Sequence, residues 1–151
     1  MKTRRWGITG IRFFLAAVFI LYGVFKLVGF QFGLSEAMGN LRLREAHPQI
    51  LTWYFFDSSP LYKYCIGITQ IVTGLLLIIP RTAAIGALCF LVIISNIVLI
   101  NFGYNIALDV KILSSILLAL DGVLLWHYLP RYKLLLQPAE NKKFKFDEVE
   151  E

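Results

Sequence analysis

Charge is scarce in this chain. Asp, Glu, Lys and Arg make up 17% of its 151 residues, against 58% hydrophobic residues, which is too apolar for an ordinary soluble domain. Cysteine is nearly absent: Cys65 and Cys89 form neither a CxxC nor a metal-ligand spacing, which argues against a thiol oxidoreductase with its own active disulfide. Histidine is limited to His47 and His127, which fall in a loop and at the far end of the last apolar run, so they cannot jointly ligate a haem or metal. A Ser-His-Asp arrangement, a glycine-rich phosphate loop and a carboxylate pair are all missing. No residue is marked as catalytic, so any redox chemistry must come from a cofactor or a partner. The formal charge of +5 does not indicate nucleic acid, because most Lys and Arg lie beside the ends of apolar runs.

Those runs are what the chain does contain. They cover roughly residues 8–29, 62–79, 82–101 and 109–128. Each has about the 20 residues that a helix needs to cross the ~30 Å hydrocarbon core of a bilayer. Each also confines its polar residues to a 3-4 spacing, which places them on one helical face. In the first run the stripe is Arg12, Leu15, Phe19, Tyr22 and Lys26; in the second it is Gly67, Gln70, Gly74 and Leu77. Gly86, Cys89, Ile93 and Asn96 form the third, and Lys111, Ser114, Leu118, Asp121 and Leu125 the fourth. The pattern predicts an all-α, integral membrane four-helix bundle over residues 1–135, with polar stripes inward and Leu, Ile, Val and Phe toward lipid. Residues 136–151 read as a charged, mobile cytoplasmic tail whose basic part could touch anionic headgroups.

The basic leader of residues 2–5 resembles a signal peptide, but Lys26 interrupts the apolar segment and no small-x-small cleavage pattern follows. The first run therefore reads as a retained helix. Lys2, Arg4 and Arg5 precede it, Arg81 sits in the turn between the second and third runs, and Arg131 and Lys133 follow the fourth. The other side carries Arg42, Arg44 and Lys63 over a longer loop, with Lys111 near a helix end. The positive-inside rule thus places both termini in the cytoplasm, across the cytoplasmic (inner) membrane.

Local signals sharpen the connections. Ser59 can cap a helix whose first position is Pro60. Pro80-Arg81 makes a turn short enough to force an antiparallel hairpin, and residues 102–105 read as a second tight turn. Counting back from the first turn puts Cys65 and Cys89 about 10 Å apart in depth, too far for a disulfide. The stretch of about thirty residues before Pro60 is long for a bundle loop. Within it Leu34, Met38 and Leu41 could share one face of a short amphipathic helix. The aromatic run Trp53-Tyr54-Phe55-Phe56 suits the membrane interface, either as a cap over the outer mouth of the bundle or as an interfacial anchor.

Depth along the helices groups the polar residues. Arg12 and Asp121 lie within reach of each other near the cytoplasmic end and are expected to form a structural ion pair, since an unpaired charge in hydrocarbon costs at least ~2.5–3.5 kcal/mol. Lys26, Asn96, Asn101, Tyr104, Asp109 and Lys111 gather toward the outer mouth, with Gln70 deeper, between two glycines that allow close helix approach. Two readings remain open for this group. One is a pocket for an amphipathic small molecule with a polar head; the other is interhelical glue in a solid bundle.

The chain resembles the DoxX family of small bacterial four-helix membrane proteins. The resemblance runs from about Arg12 to Arg131. It is carried by Arg12 and Tyr22-Gly23-Val24-Phe25-Lys26, by Gly67 to Gln70 and Gly74 to Ala83, and by Gly86, Asn96, Asn101 to Asn105 and Lys111. Where the resemblance leads one to expect an acidic residue in the second run, this chain has Gln70, which carries no charge. The family association implies a helical bundle in the cytoplasmic membrane and a link to redox complexes, including thiosulfate:quinone oxidoreductase subunits; related superfamily members look more like assembly factors or cargo receptors. The expectation is a non-catalytic subunit of a membrane redox system that binds quinone or a similar molecule, with a partner membrane or redox protein and homo-oligomerisation left open. The alternative is a membrane scaffold that is not an enzyme, whose polar residues serve only packing.

Overall fold

The computed structural model describes residues 2–29 and 47–136. The expected amphipathic piece around Leu34, Met38 and Leu41, the loop residues Arg42 and Arg44, and the tail after residue 136 lie outside the described residues. Among the described residues the chain is all helix: α1 (Lys2–Leu27), α2 (Pro48–Asp57), α3 (Pro60–Ile78), α4 (Ala83–Gly103) and α5 (Leu108–Leu136). Trp6–Leu27, Pro60–Ile78 and Ala83–Gly103 are long and apolar enough to cross a membrane. The fourth expected run lies inside α5, which is longer than the run and continues through Pro130.

Contacts among the four long helices close a ring: α1 packs on α3, α3 on α4, α4 on α5, and α5 back on α1. The tightest seam is between α1 and α3, and glycines set its spacing. A Cβ on Gly67 would lie 2.8 Å from Leu27, and one on Gly74 would lie 2.6 Å from Ile20 and 2.9 Å from the Ala16 carbonyl oxygen. Gly86 plays the same part between α4 and α3, where a Cβ would come within 2.9 Å of the Leu77 nitrogen. Without a strong hydrophobic force between helices in lipid, such close backbone approach is a main source of packing energy. Across the centre, the rings of Phe19 and Phe90 stack with centroids 3.7 Å apart, joining α1 to α4 over the diagonal. Leu15, Leu77, Ala87 and Leu124 fill the core with them.

The connections follow their local chemistry. Ser59 caps α3 by accepting from the Tyr62 N–H at 3.3 Å, with Pro60 at the first helical position. Thr82 closes the α3–α4 turn by donating its hydroxyl to the Leu76 carbonyl at 2.9 Å. The far end of α5 is strapped to the same turn: the Tyr132 hydroxyl donates to the Ala84 carbonyl at 2.7 Å and Arg131 to that of Pro80 at 3.4 Å. Between α4 and α5 the chain reverses at Asn105, whose φ of 49° suits asparagine better than most residues.

Two stripes sit where the spacing puts them. Arg12, Leu15, Phe19 and Lys26 are buried on α1, and Gly67, Gln70, Gly74 and Leu77 on α3. The third is rotated. α4 buries Ala83, Ala84, Gly86, Ala87, Phe90, Ile94 and Asn101, so of the expected stripe Gly86 is inward, while Cys89 and Ile93 are half-buried and Asn96 is exposed. Small and aromatic side chains fill the centre of this helix, and of its two asparagines Asn101, not Asn96, marks the inner face. On α5 the buried line runs through Ser114, Leu117, Asp121, Leu124 and Tyr128, and Leu118 and Leu125 flank it.

Candidate functional site

α2 begins at Pro48, with the His47 ring nitrogen accepting from the Gln49 N–H at 3.3 Å. The aromatic run expected at the interface is therefore a helix. It is held to the start of α3 by an ion pair between Lys63 and Asp57 at 2.8 Å and by Phe56 stacked on Tyr62 with centroids 5.7 Å apart. Thr52, Trp53 and Phe56 of this helix face a half-open cavity of about 470 Å³ lined by the four long helices. That size is typical of a small-molecule pocket.

The walls of the cavity are mainly isoleucine and valine, and Phe19 reaches it from the central aromatic stack. Its polar atoms come from all four long helices. Lys26 stands at the end of α1, Gln70 on α3, Asn96 and Asn101 on α4, and Ser114 on α5. The site sits in the half of the bundle nearest α2.

Most of these groups are already engaged. The Asn101 side-chain amide donates to the Ser114 hydroxyl at 3.0 Å and to the Val110 carbonyl at 3.5 Å, tying α4 to α5. Ser114 passes its own proton to the Lys111 carbonyl at 3.1 Å. Thr52 donates to the Pro48 carbonyl at 2.9 Å, within α2. The Lys26 ammonium lies 5.7 Å from the centre of the Tyr22 ring, an attractive cation–π distance. Gln70 differs: only 2% of its side chain is exposed, and its carbonyl oxygen has no hydrogen-bond partner among the described residues.

Of the residues expected to bind a ligand, the structure brings Lys26, Gln70, Asn96 and Asn101 to one cavity. Tyr104, Asp109 and Lys111 do not line it. Tyr104 is exposed in the α4–α5 turn, and Asp109 is exposed in the first turn of α5, where its charge suits the positive end of the helix. Lys111 donates to the Asn105 side chain and lies 5.8 Å from the centre of the Phe102 ring, so it braces the turn. Tyr104 thus belongs to the turn, and Asp109 and Lys111 to the first turn of α5, away from the cavity lining. Thr52, Trp53 and Ser114 are lining residues that depth counting missed, although Ser114 stood on the fourth stripe.

The expected ion pair between Arg12 and Asp121 is not formed. Arg12 turns toward the end of α3 and donates to the Ile78 carbonyl at 3.3 Å. Asp121 is fully buried, and neither carboxylate oxygen has a hydrogen-bond partner among the described residues. The ion pair found among those residues is Lys63–Asp57. Arg12 lies beside the free carbonyls that end α3, and these compete for its guanidinium.

A family model described as DoxX matches residues 7–102. The uncharacterized protein YwoB of Bacillus subtilis (strain 168) is 43% identical over 115 residues, covering 76% of this chain and 72% of that protein. No solved structure matches.

Proposed function

This chain belongs to the DoxX family and is a multi-pass membrane protein in contact with the lipid bilayer; on that premise we propose that its cavity holds an amphipathic, lipid-soluble small molecule, quinone being the candidate, as a non-catalytic subunit of a membrane redox system. All four long helices span the cytoplasmic membrane in this reading, α5 included. Both termini lie in the cytoplasm and α2 covers the outer mouth. The orientation rests on the basic residues at the N-terminus, in the α3–α4 turn and after residue 130.

One observation carries the proposal: a mainly apolar cavity of about 470 Å³ with a few polar groups opens among the four long helices. Interhelical glue calls for satisfied pairs such as Asn101 with Ser114, and it calls for no open volume. An apolar wall with a few placed polar groups suits a molecule that arrives through the bilayer.

Native mass spectrometry of the full chain, released gently from its own membranes, tests this. A bound mass of several hundred daltons is expected, and it should be lost when Ile97→Trp fills the cavity. A bare chain that co-purifies with a second protein instead would overturn the pocket reading in favour of a scaffold.

A further inference from the structure

The cavity opens on one side of the bundle. Among the described residues that line it, the exposed ones are Tyr62, Cys65 and Thr69 of α3 and Val92 and Asn96 of α4, Val92 most of all at 72%. The lining residues of α1, α2 and α5 are buried or half-buried. Tyr62, Cys65 and Thr69 share one face of α3, and Val92 and Asn96 share one face of α4, each at helical spacing. Gly86 holds α4 against α3 at Leu77, and counting outward from that contact places Thr69 between the levels of Val92 and Asn96. The two helices therefore meet tightly near their shared turn and leave a slot between them farther out. Both are long and apolar enough to cross a membrane, so the slot faces the acyl chains of the bilayer.

From this placement we infer that the cavity takes a long-chain lipophile sideways from the bilayer, head inward, and that the tail stays in the slot between α3 and α4. The inference rests on the pocket reading and adds the shape of the ligand and its route. Polar groups that can meet a head lie on the inner wall: Lys26, Asn101 and Ser114 are all buried. The slot carries no charged side chain, and the Thr69 hydroxyl is turned back on the Cys65 carbonyl at 2.7 Å. A head resting there would forgo the inner polar groups, whereas a tail resting there keeps its methylenes out of water. A cavity of about 470 Å³ suits a small molecule, so a long tail has to leave it, and the slot is the exit that lipid already reaches. Thr52, Trp53 and Phe56 of α2 are covered lining residues, so entry between α3 and α4 requires no displacement of α2.

The test uses the full chain in lipid nanodiscs and two photoreactive decylhydroquinones, one with a diazirine on the ring and one with a diazirine in the middle of the decyl tail. Labelling that excess plain decylhydroquinone removes is counted as specific, and mass spectrometry locates it. The ring probe should label residues inside the cavity, such as Thr52 and Ser114, and the tail probe should label Thr69, Val92 and Asn96. Thr69→Trp, which fills the slot, should cut specific labelling by both probes several-fold. Leu99→Trp, at an exposed position of α4 off the cavity, should leave it unchanged. Tail label inside the cavity, or at the seam of any other helix pair, overturns the slot and leaves the pocket standing. Equal labelling of the two variants does the same. Absence of specific labelling by both probes overturns the pocket reading and this inference with it. Because the labelling map is taken on the unaltered chain, a folding defect in Thr69→Trp does not shield the proposal.

Discussion

Gly23 of α1 faces Gly67 of α3 so closely that a Cβ on Gly23 would stand 2.7 Å from the Gly67 carbonyl oxygen. The obstacle is main chain, which cannot rotate away, and Ile71 crowds the same spot at 2.7 Å. Any side chain here must push the two helices apart along the seam that borders the cavity. Gly23→Val should lower thermal stability in detergent by about 1–3 kcal/mol. Gly103→Ala is the control, since nothing lies within 4 Å of a Cβ there. Equal losses in the two variants would show that the seam is not close-packed.

Asn101 and Ser114 form the buried polar link between α4 and α5. Hydrogen bonds inside membrane proteins average about 0.6 kcal/mol in double-mutant cycles. A cycle of Asn101→Leu with Ser114→Ala should give a coupling near that value. The coupling should be favourable even though each single change costs more, because each leaves the other polar group unsatisfied. Additive losses would mean that the two residues act separately.

Asp121 is buried, and neither of its oxygens has a partner among the described residues, while Arg12 donates to the Ile78 carbonyl. An isosteric neutral replacement removes the burden of burying a carboxyl group that can ionise, and it breaks no bond present in the structure. Asp121→Asn should therefore raise stability, by about 1 kcal/mol or more on the scale of charged residues in bilayers. Thermal unfolding in detergent or lipid measures it. A loss of stability would mean that Arg12 does hold Asp121, as the depth argument expects.

The contrast between Arg12 and Gln70 shows what could be read from residues alone. Spacing placed both on buried faces, and the structure puts both there, because a polar residue in a long apolar run has few places to go. The glycines beside Gln70 likewise announced a close helix neighbour. Partners were not legible. Arg12 and Asp121 share a depth, yet the free carbonyls at the end of α3 are properties of the fold, and only the fold brings them near Arg12. The rotation of α4 was hidden for a related reason: its inner face is Ala83, Ala87, Phe90 and Ile94, which periodicity cannot tell from its lipid face. For Tyr104, Asp109 and Lys111, depth gave the level and said nothing about which side of the helix faces inward.

α2 is held over the cavity by aromatic stacking as well as by the Lys63–Asp57 pair, which is partly exposed. Exposed ion pairs contribute about 0–1 kcal/mol and are weakened by salt. Asp57→Asn should change stability by no more than about 0.5 kcal/mol. Phe56→Ala removes the ring stacked on Tyr62 and opens the cavity wall, so it should loosen α2 more. Hydrogen exchange across residues 48–57, compared in the two variants, checks the order. Faster exchange in Asp57→Asn than in Phe56→Ala would make the ion pair the dominant tie.

Cys65 and Cys89 are both free, and they differ in place. Cys65 is exposed and borders the cavity, whereas Cys89 is half-buried on α4 and does not line it. A lipid-soluble maleimide should label Cys65 faster, since accessible thiols react and buried ones are inert. An occupant of the cavity crowds Cys65 and leaves the surroundings of Cys89 alone. Saturating decylhydroquinone should therefore slow labelling at Cys65 several-fold with Cys89 unchanged, read by mass spectrometry of the labelled chain. Equal slowing at both thiols would indicate a general effect of the lipophile on the bilayer, and the protection could not then be assigned to the cavity.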